Sequence, residues 1–75
     1  MKIMDFKIIF ETEEDGGYVA ICPAIPGCYS QGDTMKEAMK NIKEAISLCI
    51  EDMKKHKEKL PDTSNELVGS VLVKV

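Results

Sequence analysis

Nine apolar residues between positions 35 and 53 recur at spacings of three and four: Met35, Ala38, Met39, Ile42, Ala45, Ile46, Cys49, Ile50 and Met53. That period makes one continuous stripe along a helix. Lys36, Lys40, Lys43, Glu44, Glu51 and Asp52 fall outside it. Just before the stripe, Thr34 and Glu37 form a T-x-x-E capping box, in which each residue's side chain satisfies an orphan N–H of the other. The three helical methionines read as core filler. A helix of about 20 residues spans roughly 30 Å, enough to cross three or four strands. It can cover only one face of such a sheet.

The rest of the 75 residues supplies the strands. Residues 3–13 alternate, with Phe6, Ile8 and Phe10 on one side and Asp5, Lys7, Ile9 and Glu11 on the other. Glu14-Asp15-Gly16-Gly17 then reads as a hairpin tip, and residues 18–22 as the return strand. Pro23 ends that strand, because proline has no N–H for a ladder. Pro26 and Gly27 reverse the chain, residues 28–31 make a short third strand, and Gly32-Asp33 leads into the helix. Leu60-Pro61 closes the helical region, residues 62–66 are a polar loop, and residues 67–75 form a last strand with Val71, Val73 and Val75 on one side. The order is strand, strand, strand, helix, strand in a single α+β domain over residues 1–75. The first three strands pair antiparallel, and the fourth arrives by a right-handed crossover parallel to one of them.

The stripe's mate is the face carrying Phe6, Ile8 and Phe10. Ile9, Leu72 and one apolar set of the second strand, Val19 and Ile21, are then left on the far side. Burying about 400 Å² there at ~25 cal/mol/Å² contributes on the order of 10 kcal/mol before ordering costs. Ile9, Val19, Ile21 and Leu72 are therefore expected on an oligomer or partner face, against the ordinary alternative of scattered exposed apolar residues. At 44% hydrophobic residues the chain folds, and its small size gains much from a partner or from self-association.

The net charge of −3 is unevenly spread. Residues 1–33 hold six acids against two lysines, and residues 34–60 hold seven lysines against five acids. The acidic front disfavours nucleic acid and suits a basic protein. The four aromatic residues (two Tyr, two Phe, no Trp) poorly supply a base-stacking surface.

Catalysis finds no constellation. A carboxylate nuclease site on a sheet crossed by one helix needs acids on strand, helix and last strand. Asp5 and Glu37 or Glu44 are available, but the last strand offers only Lys74, which would repel the metal. His56, the single histidine, sits in a lysine-rich tail far in sequence from any nucleophile. The glycines match no phosphate-cradle motif. Three cysteines with no C-x-x-C pair do not make a zinc site. Cys22 and Cys28 flank one loop and could meet across it, but they read as buried, reduced, small hydrophobes. No metal, cofactor or small-molecule substrate is implied. The first ten residues are no signal peptide and no segment approaches a membrane span, so a cytoplasmic protein is expected.

The string DGGYVAICPAIPGCYSQGDTMKEAMKNIKEAI, with its neighbours, resembles the N-terminal domain of HicB-family antitoxins. The resemblance rests on Asp15-Gly16-Gly17-Tyr18, Pro23, Pro26-Gly27-Cys28, Gly32-Asp33-Thr34, Glu37-Ala38 and Glu44-Ala45-Ile46, in register over residues 6–50. It implies a partial RNase H-like fold without catalytic acids, and a non-enzymatic antitoxin. The implied partner is a small basic HicA-type toxin that cleaves mRNA. It also implies homo-oligomers, dimeric or tetrameric. The C-terminal DNA-binding domain that many such antitoxins carry is not expected here, nor is direct nucleic-acid binding. On this reading Glu13, Glu14, Asp15 and Asp33 complement the toxin's basic surface, and the loop with Pro23, Ile25, Pro26 and Gly27 is a stiff connector presented beside them. The alternative is a stand-alone homo-oligomeric module that binds a protein or a ligand.

Overall fold

The computed structural model describes residues 3–75. Its regular elements are β1 (Ile9–Thr12), β2 (Tyr18–Ile21), β3 (Tyr29–Gly32) and α1 (Met35–Lys55). The strands form one antiparallel sheet in the order β1-β2-β3. At the first turn Gly16 takes a φ of 95°, and the Glu13 N–H donates to the Gly17 carbonyl at 2.8 Å. At the second, the Cys22 N–H donates to the Cys28 carbonyl at 3.0 Å, and Gly27 turns the chain with a φ of 79°. Both positive angles suit a residue without Cβ.

Helix α1 starts where local chemistry places it. Thr34 is extended, and its hydroxyl accepts from the Glu37 N–H at 3.1 Å. Lys54 and Lys55 lie in the last turn, at the negative end of the helix dipole. The helix ends with paired closing bonds, Glu58 N–H to the Met53 carbonyl and Lys57 N–H to the Lys54 carbonyl. This is a Schellman arrangement with Lys57 in the left-handed region at φ 57°. The helix packs over β3 and β2.

Ala20, Cys22, Ile25, Cys28, Ala38, Ile42 and Ile46 form the core, with Phe6, Ile8 and Phe10 packed against it as the alternation requires. Two expectations about the stripe fail. Met35 and Met39 stay about half exposed, while Met53 alone of the three packs against the core. Met35 sits in the first turn, where side chains lean toward the helix N-terminus and past the sheet. Met39 lies on the stripe's flank.

The expected last strand is not formed. Residues 56–75 contain neither helix nor strand. The Ser64 N–H and hydroxyl both donate to Asp62 Oδ1, at 3.0 and 2.7 Å, fixing a turn. Glu66 then comes back beside the N-terminal segment, its carboxylate accepting from the Lys7 backbone N–H at 3.2 Å. Beyond it, residues 67–75 are exposed throughout. A strand exists only where another supplies ladder partners, and the alternation of valines does not say whether one is within reach. The longer first strand is also trimmed, since residues 3–8 lead into β1 outside the ladder.

Candidate partner-binding surface

The register decides which side chains share a face. Ile9 stands opposite Ile21, which stands opposite Tyr29; in the next outward row Glu11, Val19 and Gln31 align. These residues point away from α1, while Phe10, Ala20 and Ser30 point toward it. Ile9, Val19 and Ile21, expected on the far side, do share it. Leu72 does not join them, for it lies on the exposed terminal segment. Tyr29 is the residue that reading by element alone misses. It is 64% exposed and completes the row across the sheet. Alternation combined with antiparallel pairing to β2 would have found it.

This face continues into the loop after β2. A shallow groove is lined by Val19, Ile21, Pro23, Pro26, Gly27 and Tyr29, among others. Pro23, Pro26 and Gly27 are exposed there. Ile25 is different. At 4% exposure it is turned into the core, where it anchors the loop from beneath. Its carbonyl accepts from the Cys28 N–H at 3.0 Å, and its own N–H donates to the Cys22 carbonyl at 3.2 Å. The loop is therefore stiff because its backbone is bonded and its apolar tip is buried, as well as because it holds two prolines.

A second recess lies at the hairpin end of the domain. Glu13, Asp15, Asp33 and Glu37 line it together with Gly17 and Gly32. Three of the four acids expected at a basic partner thus converge, and Glu37, not among the residues expected at that partner, joins them. Glu14 lies on the neighbouring exposed hairpin tip and is not among the lining residues. What permits the convergence is Gly32. A Cβ there would lie 2.9 Å from both Ala38 Cα and the Glu37 carbonyl carbon, so β3 and the first turn of α1 meet backbone to backbone. The helix start, carrying Glu37, is thereby held against the hairpin carrying Glu13 and Asp15.

The cysteines are free, with Cys22 and Cys28 buried. Burial pushes the Cys28 thiol up to about 11, the neighbouring Cys49 and Cys22 adding to it. Burial likewise raises Cys22, against opposing backbone bonds from Ile25 and Ala24. Thiols held protonated are poor nucleophiles. Among the described residues no polar or charged side chain is buried, and no three of His, Cys, Asp and Glu are gathered as a metal site. No helix among them is long and apolar enough to cross a membrane. What the surface offers is contact: a row of apolar side chains, a stiff loop, and converging carboxylates.

Known proteins resemble this chain in sequence. The UPF0150 protein Ta0767 of Thermoplasma acidophilum is 52% identical over 65 residues, which cover 85% of this chain and 94% of that protein. A UPF0150 protein of Archaeoglobus fulgidus is 40% identical over 72 residues, 96% of each chain. One from Helicobacter pylori is 34% identical over 68 residues, 91% of this chain and 93% of its own. A family model described as a HicB-like antitoxin of bacterial toxin-antitoxin systems matches residues 6–70, a span holding the whole sheet, the stiff loop, the acidic recess and α1. The chain belongs to the HicB-like antitoxin family.

Proposed function

We propose that this protein is the antitoxin of a type II toxin–antitoxin pair, acting in the cytoplasm without catalysis of its own. Its partner is a small, basic, mRNA-cleaving toxin of the HicA type, which it neutralises by covering the surface that engages RNA. The observation that carries this reading is the convergence of Glu13, Asp15, Asp33 and Glu37 in one recess, on a chain of the HicB-like antitoxin family. Carboxylates arranged in this way repel a phosphate backbone and attract the lysines and arginines that would bind it. The apolar row Ile9, Ile21 and Tyr29 on the neighbouring face supplies area to bury once the charges have steered the encounter. The bonded loop after β2 lowers the ordering cost of contact. No direct contact with nucleic acid is part of this function.

The test is co-purification with the product of a neighbouring reading frame encoding a basic protein of this type, followed by an RNA-cleavage assay. The account expects a stable complex and loss of cleavage at stoichiometric antitoxin. It expects the double substitution Asp15→Lys/Asp33→Lys to weaken binding at least tenfold, mostly through slower association. Two proteins that ignore each other at micromolar concentration would overturn it. A second reading, a homo-oligomeric module with no toxin, is favoured by the exposed apolar segment 67–75. A stable oligomer beside no toxin frame would select it.

A further inference from the structure

Three free thiols meet inside the domain, and the proposed function uses none of them. Cys22 directly follows β2 and Cys28 directly precedes β3. By alternation from Ala20 and Ser30, which point toward α1, both cysteines face the helix. Cys49 comes down to them from the apolar stripe of α1, packed against the core that holds the other two. The Cys28 thiol is the middle one, within hydrogen-bonding reach of both others and with Cys49 its stronger neighbour.

Exposure separates their roles. Cys22 and Cys28 are 1% and 5% exposed, whereas Cys49 is only partly covered, so a small oxidant from solvent reaches Cys49 first. Geometry then selects its mate. Cys22 and Cys28 stand opposite each other at the end of the ladder, where the Cys22 N–H donates to the Cys28 carbonyl at 3.0 Å. Opposed Cβ atoms at such a hydrogen-bonded pair lie about 5.5 Å apart, beyond the ~3.5–4.5 Å that a disulfide spans. That pair resists bridging. A strand-side and a helix residue that face each other across the layer carry no such constraint.

We propose that Cys49 is a site of oxidation by hydrogen peroxide and that Cys28 resolves it, forming a reversible disulfide that ties the foot of the β2–β3 loop to α1. The Cys49 thiolate attacks the peroxide, making an S–O bond as the O–O bond breaks. The hydroxide that leaves recovers the thiol's proton as water. The Cys28 sulfur then displaces the hydroxyl of the Cys49 sulfenic acid, and that hydroxyl leaves with the Cys28 proton as a second water. Two thiols have lost two electrons, and one peroxide has become two waters. Burial that keeps Cys28 protonated shields it from free reagents, while contact with Cys49 replaces the missing encounter. The bond closes 22 residues of chain, from 28 to 49, and so restricts the unfolded state. It also clamps the loop that borders the groove of the outer face. None of this rests on the toxin reading, and it holds or fails with no toxin present.

The reduced full-length protein, folded and at micromolar concentration, is treated with hydrogen peroxide and quenched with iodoacetamide. Its cross-links are then mapped by tandem mass spectrometry without reduction. The expected product is a Cys28–Cys49 bond within one chain, reversed by dithiothreitol, with Cys22 alkylated only after unfolding. The oxidised protein should melt at least about 5 °C higher than the reduced one. Cys22→Ala should keep the bond, and Cys49→Ala should leave Cys28 reduced and Tm unmoved by peroxide. A folded chain that stays fully reduced would overturn the proposal. So would a Cys22–Cys28 bond, a Cys49 sulfinic acid without a cross-link, or a cross-link that forms only in the unfolded chain. Should a variant fail to fold, the cross-link map of the unsubstituted protein decides alone.

Discussion

Gly32 holds the acidic recess together by having no side chain. The atoms a Cβ would meet belong to the backbone of Glu37 and Ala38, in the first turn of a packed helix, and cannot swing aside. Gly32→Ala should cost about 2 kcal/mol in urea unfolding, in the range of overpacking a filled site. Lys57 is the reverse case. It bears a Cβ at a φ of 57° where a helix end favours glycine, so Lys57→Gly should stabilise by about 1 kcal/mol in the same assay. The buried cysteines give a chemical check. With Cys28 pushed up to about 11 and Cys22 also raised, both should resist iodoacetamide at pH 7.5 until the chain is unfolded. Their burial was legible in sequence, because odd, unpaired thiols beside apolar residues read as small hydrophobes. The burial of Ile25 was not. A loop residue between two prolines gives no periodicity by which to judge which way it points.

At the scale of elements, what was legible is what is local. The Thr34 cap follows from a four-residue pattern, and Thr34→Ala should cost about 1 kcal/mol of stability by thermal or urea unfolding. At the other helix end the His56 ring nitrogen Nδ1 lies 2.9 Å from the Asp52 carbonyl oxygen, and the Asp52 carbonyl and carboxylate hold its pKa above the ordinary value. A raised folded-state pKa means stabilisation that is full below about pH 6.5 and fades as pH rises through the folded value. Stability should therefore fall gently across that window, and His56→Gln should flatten the slope. The last strand fails to form for a non-local reason. Its valines alternate as a strand's do, but a ladder needs an edge, and that edge is not next to it in sequence. Short β-strands of four residues likewise depend on neighbours that alternation alone does not name.

For the whole molecule, the governing fact is that one helix shields one face of a three-stranded sheet. A bare second face follows from counting elements, although that count is of four strands where three form; Ile9, Val19 and Ile21 lie on that face. The acidic recess required the fold, since Glu13 and Asp15 lie some 20 residues from Asp33 and Glu37 in the chain. The claim that the outer face and the recess form the working surface is tested most directly by titrating the isotope-labelled protein with a catalytically inactive HicA-type toxin and following its amide resonances. The account predicts shifts at Glu13, Asp15, Val19, Ile21, Tyr29 and Asp33, with Lys40 and Lys43 on the exposed helix side unmoved. Shifts confined to those helix lysines, or none at saturating toxin, would contradict it.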